Sequence, residues 1–286
     1  MAELKQFNTP GRDPNWCPGC GDYGIWNAFK RALVTINIEP KDIVIATGIG
    51  CGSKINHWVN TYGFHGLHGR LIPIAQGIKL TNTDLTVIAV GGDGDGYSEG
   101  GNHFLNGVRK NINMTYFIQN NQIYGLTKGQ TSPTSDEETK TKSTPEGSHD
   151  SPIHGLSTAI INGATFVARG FAGDMNHLIK LMGLAIQHKG FAFVEILQPC
   201  VTFNKVNTYD WYKQRVYYLQ KEKHNSKDKI AAIGRGMEWG DKIPLGILYQ
   251  EEKTLYENLH SEIKENPLVK QDILNIDISS IFEDYM

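Results

Sequence analysis

The sequence predicts an α/β fold: a mostly parallel β-sheet with helices on both faces, followed by a C-terminal extension. Three observations carry this. Short β-branched apolar runs recur, several end in glycine-rich turns, and amphipathic stretches with helical spacing separate them. The length agrees, because 286 residues can bury about 75% of the unfolded surface without disulfides.

The elements follow in order. Residues 24–37 place Ile25, Phe29, Leu33 and Ile36 three or four apart, as an amphipathic helix requires. Ile43–Thr47 (IVIAT) is a short buried strand running into Gly48–Gly52, and residues 85–90 (LTVIAV) repeat the pattern before Gly91–Gly96 (GGDGDG). A helix over Ser98–Arg109, a strand over Met114–Gln119 and a strand over Thr165–Arg169 come next. Residues 175–188 gather Leu178, Leu181, Met182, Ala185 and Ile186 on one helical face, with Gly190 as the stop. Phe191–Leu197 returns as a strand. Residues 131–150 are polar and carry two prolines, which predicts a mobile surface loop. The core is placed at 14–205, and 206–286 is expected to be an extension that packs on it or on a partner.

Composition excludes several classes. With 28 Lys+Arg against 30 Asp+Glu, no broad basic field exists to favour nucleic acid. Apolar runs such as Val87–Val90 are far below the roughly 20 residues of a membrane span. Met1–Gly11 lacks the apolar core of a signal peptide, so the cytoplasm is the expected compartment.

The unusual residues cluster at predicted strand ends. Cys51, Asp93, Asn121 and Cys200 each lie just past the carboxyl end of a strand, the edge where ligands bind in open parallel sheets. The Gly91–Gly96 turn lets the backbone approach a phosphate. Asp93 offers a hard oxygen, Asn121 an amide oxygen and Ile123 a backbone carbonyl, a donor set for Mg²⁺ that shares its shell with a diphosphate. Either turn alone is as well explained as a structural turn; together, on successive strands, they favour a site. Gly48–Lys54 (GIGCGSK) matches neither a P-loop nor a dinucleotide fingerprint, because Ser53 stands where a glycine is needed.

Four cysteines remain: Cys17, Cys20, Cys51 and Cys200. A lone C-x-x-C is ambiguous among zinc, thiol redox and cluster ligation. A zinc ribbon normally carries a second C-x-x-C, and a thioredoxin-like site does not need Cys51 or Cys200. A four-iron cluster needs four thiolates, the number this chain has.

Six ordered motifs, CPGCGD (17–22), GIGCGSK (48–54), HGR (68–70), GDGDG (92–96), NNQIYGLTKGQ (120–130) and QPC (198–200), together resemble the β subunit of two-subunit 2-oxoacid:ferredoxin oxidoreductases. The resemblance runs from Trp16 to Arg215 and weakly to Tyr249; no motif matches beyond about 250. It implies a thiamine-diphosphate-binding fold of the pyrophosphate type at 14–205, with Mg²⁺ held by Asp93, Asn121 and the Ile123 carbonyl. By the same match, Ile49, Gly50, Cys51, Gly52, Gly94, Asp95, Gly125 and Leu126 lie along the cofactor, and Cys17, Cys20, Cys51 and Cys200 hold a [4Fe–4S] cluster. His68 neighbours the thiazolium or substrate, and Lys54 and Lys128 are candidates for steering the substrate carboxylate or the coenzyme A phosphates. A solvated lysine or a hydrogen-bonded core histidine is as good an account of these three.

The implied reaction is oxidative decarboxylation of a 2-oxoacid, 2-oxoglutarate before pyruvate, to an acyl-CoA, with electrons passing through the cluster to ferredoxin. The glutamate that activates the cofactor in this family has no counterpart here, so a separate α subunit is expected to supply it. A non-oxidative thiamine enzyme has no use for four cysteines, and a zinc-stabilised binding protein would be colourless.

Overall fold

The computed structural model describes residues 2–272, 277–283 and 285–286. Its strands are β1 (Ile43–Thr47), β2 (Tyr62–His65), β3 (Thr86–Gly92), β4 (Met114–Asn120), β5 (Ile123–Tyr124), β6 (Gln130–Thr131), β7 (Phe166–Phe171), β8 (Phe191–Leu197), β9 (Val216–Tyr218) and β10 (Ile243–Gln250). Eight form one sheet in the order β2-β1-β3-β4-β8-β7-β10-β9, while β5 and β6 pair as a separate antiparallel ribbon. The six strands from β2 to β7 are parallel to one another; β10 runs antiparallel to β7, and β9 parallel to β10.

The main helices are α1 (Gly21–Thr35), α2 (Ile55–Trp58), α3 (Leu71–Thr81), α4 (Gly101–Lys110), α5 (Gly155–Asn162), α6 (Met175–Gln187), α7 (Tyr209–Lys213) and α8 (Lys229–Met237). Alternation along the strands sends neighbouring side chains to opposite faces. On one face Phe117, Ile88 and Val194 pack against Phe29 and Leu33 of α1 and Leu178 and Met182 of α6. On the other, Tyr116, Ile118 and Phe193 pack against Leu71 of α3, Phe104 of α4, Leu156 of α5 and Ala232 of α8. The central strands β1, β4, β7 and β8 are buried along their whole length, which explains their unbroken apolar character.

Differences from the sequence expectation have local causes. Helix α1 starts at Gly21 because its N–H bonds the Pro199 carbonyl (3.1 Å), docking the helix N-terminus on the end of β8. The helix expected from Ser98 begins as a wide π-type turn, Gly94–Glu99, before α4; such turns recur at functional sites. The surface loop expected at 131–150 is a loop, with Glu137, Lys140, Lys142, Ser143 and Glu146 exposed, but Ser132, Thr134, Ser135 and Ser148 are buried, and Glu138 and Thr139 exchange backbone hydrogen bonds with Ser148. The hydroxyls of Ser132, Thr134 and Ser135 satisfy buried partners rather than water. The segment 206–286 contributes β9 and β10 to the main sheet. No helix among the described residues is long and apolar enough to cross a membrane.

Candidate active site

The carboxyl ends of β1, β3, β4 and β8 lie side by side in the sheet, so the loops that follow them meet at one edge. Chain order reverses around β1, with β2 on one side and β3 on the other, and such a switch point leaves a crevice. A cleft of about 550 Å³, counting its open mouth, is lined by Ile49–Gly52, His68, Gly92–Asp95, Gln119, Asn121, Ile123–Thr127 and Gln198. It brings together Ile49, Gly50, Cys51, Gly52, His68, Asp93, Gly94, Asp95, Asn121, Ile123, Gly125 and Leu126. Lys54 lines an adjoining cavity, and Lys128 is exposed outside both.

Asp95 ties the cleft together. Its Oδ1 accepts from the backbone N–H of Ile49 (3.0 Å) and of Gly69 (2.7 Å) and faces His68 Nδ1 (2.8 Å). Gly48 is required beside it, since a Cβ there would stand 2.1 Å from Asp95 Oδ2. The other ring nitrogen of His68 meets Glu99 Oε2 at 3.1 Å. His68 therefore bridges two carboxylates at the rim, with Tyr124 edge-on at 6.1 Å.

Asp93 is buried, and burial pushes its carboxyl above the ordinary range. Its Oδ2 accepts from the hydroxyls of Ser132 and Thr134, both at 2.6 Å. Asn121 Oδ1 accepts from the Ile123 N–H (3.0 Å), a tight turn that fixes the following backbone. Buried Gln119 Oε1 and Asp95 Oδ2 have no hydrogen-bond partner among the described residues. Unpaired buried acceptors are costly, and here they border the cleft. The donor set, one carboxylate, one amide and one carbonyl, suits a hard cation that shares its shell with a diphosphate. These residues fit magnesium and thiamine diphosphate.

All four cysteines are free, with Cys20 and Cys200 buried, Cys51 half-buried and Cys17 exposed. A Cβ on Gly125 would lie 3.5 Å from Cys200 Sγ and 3.7 Å from Cys51 Sγ, so this glycine leaves both sulfurs uncovered. Cys20 joins them through Gln198, whose Nε2 donates to its sulfur at 3.1 Å, and the Trp16 indole N–H donates to the Cys51 carbonyl at 2.7 Å. Cys51 feels the charges of Cys200 and Cys17, and Cys20 that of Cys200. Burial raises the Cys51 thiol to about 11 and Cys20 further. Buried Asp22, 3.2 Å from Cys20 Sγ, is raised by burial to about 7. Acids packed this closely call for a compensating cationic group. No group of three or more His, Cys, Asp or Glu side chains is spaced for a single metal ion among the described residues. A four-iron cluster is larger than one ion and its ligands stand further apart, so the cysteine set fits the cluster by its chemistry.

Sequence inspection missed Asp22, Gln119 and Gln198, although each sits in or beside a quoted motif, and missed Ser132 and Thr134, whose only signal was the hydroxyl-rich run at 131–135.

Comparison with known proteins agrees with this geometry. Residues 48–196 match the C-terminal TPP-binding domain of thiamine pyrophosphate enzymes, and residues 200–265 match the C-terminal part of the pyruvate ferredoxin oxidoreductase β subunit. The chain is 45% identical over 264 residues to a 2-oxoacid:ferredoxin oxidoreductase subunit β from a Sulfolobus species, covering 88% of this chain and 86% of the relative. It is 34% identical over 258 residues to the 2-oxoglutarate synthase subunit KorB of Methanocaldococcus jannaschii, covering 87% and 92%. The structure of the 2-oxoglutarate:ferredoxin oxidoreductase from Magnetococcus marinus, with 2-oxoglutarate, coenzyme A and succinyl-CoA bound, superposes with a TM-score of 0.91 at 38% identity over 100% of this chain and 96% of that one. A glycine-lined cleft at the carboxyl edge of the sheet, with Cys51 in its wall and Cys200 close to Gly125, and these matches lead to one family: the chain is a β subunit of the 2-oxoacid:ferredoxin oxidoreductases.

Proposed function

We propose that this β subunit, joined to its α subunit, oxidatively decarboxylates a 2-oxoacid to an acyl-CoA and CO₂, with 2-oxoglutarate preferred over pyruvate and ferredoxin taking the electrons. Asp93, Asn121 and the Ile123 carbonyl hold Mg²⁺ against thiamine diphosphate, and Cys17, Cys20, Cys51 and Cys200 hold a [4Fe–4S] cluster. Bound thiamine diphosphate supplies an electron sink for the carbon that loses CO₂, and the cluster accepts electrons singly. Ile49–Gly52 and Gly94–Asp95 line the cofactor on one side, and Gly125 and Leu126 on the other. His68, fixed between Asp95 and Glu99, presents its ring at the rim of the cleft, where it orients the substrate or cofactor. Lys54 attracts the substrate's negative charge from the adjoining cavity, and Lys128 does so from the surface loop.

One observation carries the proposal: the 121–127 loop is a shared wall. Its Asn121 and Ile123 belong to the diphosphate donor set, while its Gly125 abuts two cysteine sulfurs. Cofactor and electron acceptor are thereby adjacent, as a two-electron oxidation in single steps requires. The Magnetococcus relative, with 2-oxoglutarate and coenzyme A bound, supports both the substrate preference and the acyl acceptor. Cys17, exposed, lies on the side from which electrons leave.

The test is anaerobic viologen reduction by the assembled α and β subunits with coenzyme A and a panel of 2-oxoacids. Reduction that depends on coenzyme A and is most efficient with 2-oxoglutarate is expected. Absence of turnover with every 2-oxoacid would refute the proposal.

A further inference from the structure

Gln122 stands between two of the three donors proposed to hold magnesium, Asn121 and Ile123. Its φ of +57° lies in the left-handed region that few residues with a side chain adopt, and it is buried. The carbonyls around it are fixed: that of Asn121 accepts from Asn204 Nδ2 (3.0 Å), and its own from the Ser135 hydroxyl (2.7 Å). Its Nε2 donates to the Thr134 carbonyl (2.6 Å) and to Asp136 Oδ1 (3.1 Å). Thr134 in turn donates its hydroxyl to Asp93 Oδ2 (2.6 Å). All three donors are thereby tied to one turn, 132–136.

That turn is anchored from the C-terminal extension. Asp136 Oδ1 also accepts from the Trp239 indole N–H (2.8 Å). The Arg169 guanidinium lies 5.6 Å from the Trp239 ring centre, donates to the Glu238 carbonyl (3.3 Å) and pairs through Nε with Glu195 (3.0 Å). Glu195 Oε2 accepts from Tyr97 (2.8 Å), a residue of the Gly94–Glu99 turn. Gln122, Thr134, Arg169, Glu195 and Trp239 line a single cavity. Buried ion pairs add little stability over apolar residues of the same volume; this one joins β7 and β8 to the extension and to the turn after Asp93. The contacts close a ring that leaves Asp93 through Thr134 and returns to its neighbours through Tyr97.

We infer that Gln122 is a positioning residue for the metal: clamped by the 132–136 turn and, through Asp136, by Trp239 of the extension, it sets the Asn121 and Ile123 donors at the spacing magnesium needs. This rests on the functional proposal above, which assigns those donors. Magnesium demands near-octahedral oxygens at about 2.0–2.1 Å, whereas calcium accepts looser arrangements at about 2.3–2.6 Å. Slackening the clamp therefore costs magnesium more than calcium, a change of preference that a mere loss of stability does not produce.

The test is calorimetric titration of the assembled α and β subunits with thiamine diphosphate, in Mg²⁺ or in Ca²⁺, for Gln122→Ala, Asp136→Ala, Asp136→Asn and Trp239→Phe. Gln122→Ala is expected to lower affinity about 10–100-fold in magnesium and clearly less in calcium, with iron and acid-labile sulfide unchanged. Trp239→Phe, which removes the indole N–H and keeps a ring beside Arg169, lowers the magnesium-supported affinity about tenfold. Asp136→Asn, which retains an acceptor, preserves most of what Asp136→Ala loses. Equal losses in both cations would make Gln122 a structural residue and overturn the inference, as would wild-type affinity in Gln122→Ala. Should Gln122→Ala fail to assemble, the ratio of the two losses in Trp239→Phe, whose hydrogen bond goes to Asp136 and not to a donor, decides in the same way. A wild-type complex that binds thiamine diphosphate with neither cation would sink the functional proposal, and this inference with it; a wild type that binds beside variants that do not differ from it sinks the inference alone.

Discussion

Asp93 sits at a cost to the cofactor-free protein, because burial raises its carboxyl and opposes ionisation. Asp93→Asn is therefore expected to leave the melting temperature of the cofactor-free chain unchanged or higher while abolishing magnesium-dependent binding of thiamine diphosphate. Calorimetry and thermal denaturation measure the two; undiminished binding would show that the carboxylate is not a metal ligand. Cys200→Ala should lower iron and acid-labile sulfide and eliminate viologen reduction by the complex, whereas full cluster content would remove Cys200 from the ligand set. That Cys51, Asp93 and Asn121 share the cleft was legible because they stand in short motifs at the ends of apolar runs. Asp22 was not, although it lies in one of those motifs: its role comes from burial beside Cys20, which no local pattern reveals.

Among the elements, α1 and β4 were the plainest to read, with apolar residues at helical spacing in one and an unbroken apolar run in the other. Phe29 of α1 meets Phe117 of β4 edge to face at 6.0 Å, both buried. Phe29→Ala should cost about 3–5 kcal/mol, seen as a lower denaturant midpoint; a loss under about 1 kcal/mol would mean that this helix face repacks. The 131–150 segment is the expected loop, but its first turn, Ser132–Ser135, was not legible as part of the interior, because polarity was equated with exposure. Ser132 and Thr134 spend their hydroxyls on Asp93 Oδ2. Replacing them together with Ala and Val should weaken the joint affinity for magnesium and thiamine diphosphate by about 10–100-fold, as loss of an outer hydrogen-bond layer does elsewhere. Equal affinity in a titration would make the segment a mere cover. The edge strands were harder to read. Tyr62–His65 of β2 are all exposed, and Pro244 and Gly246 interrupt β10 with residues that ordinarily argue against a strand.

For the molecule as a whole, the parallel sheet and its two helical layers were legible because recurring apolar runs, glycine turns and helical periods agree on one architecture. Stability carries a pH signature. Burial holds His188 below the ordinary 6.5, and its Nε2 lies 2.9 Å from Thr165 Oγ1. The unfolded chain thus takes up a proton that the folded chain resists. Its contribution to stability is present above pH 6.5 and lost as pH falls through the lower folded value. Replacing His188 with Gln should flatten the difference in unfolding free energy between pH 7.5 and 5 in chemical denaturation; an identical slope in both proteins would exclude it as a source.

The hydrogen bond from Gly21 to Pro199, reinforced by Gln198 on the sulfur of Cys20, joins the beginning of the sheet domain to its last central strand. A ribosome must have released nearly all of that domain before this clasp can close. Iron delivered to the nascent chain would not yet find Cys200 beside the other thiols, so assembly of the proposed cluster would have to wait for translation to pass Cys200.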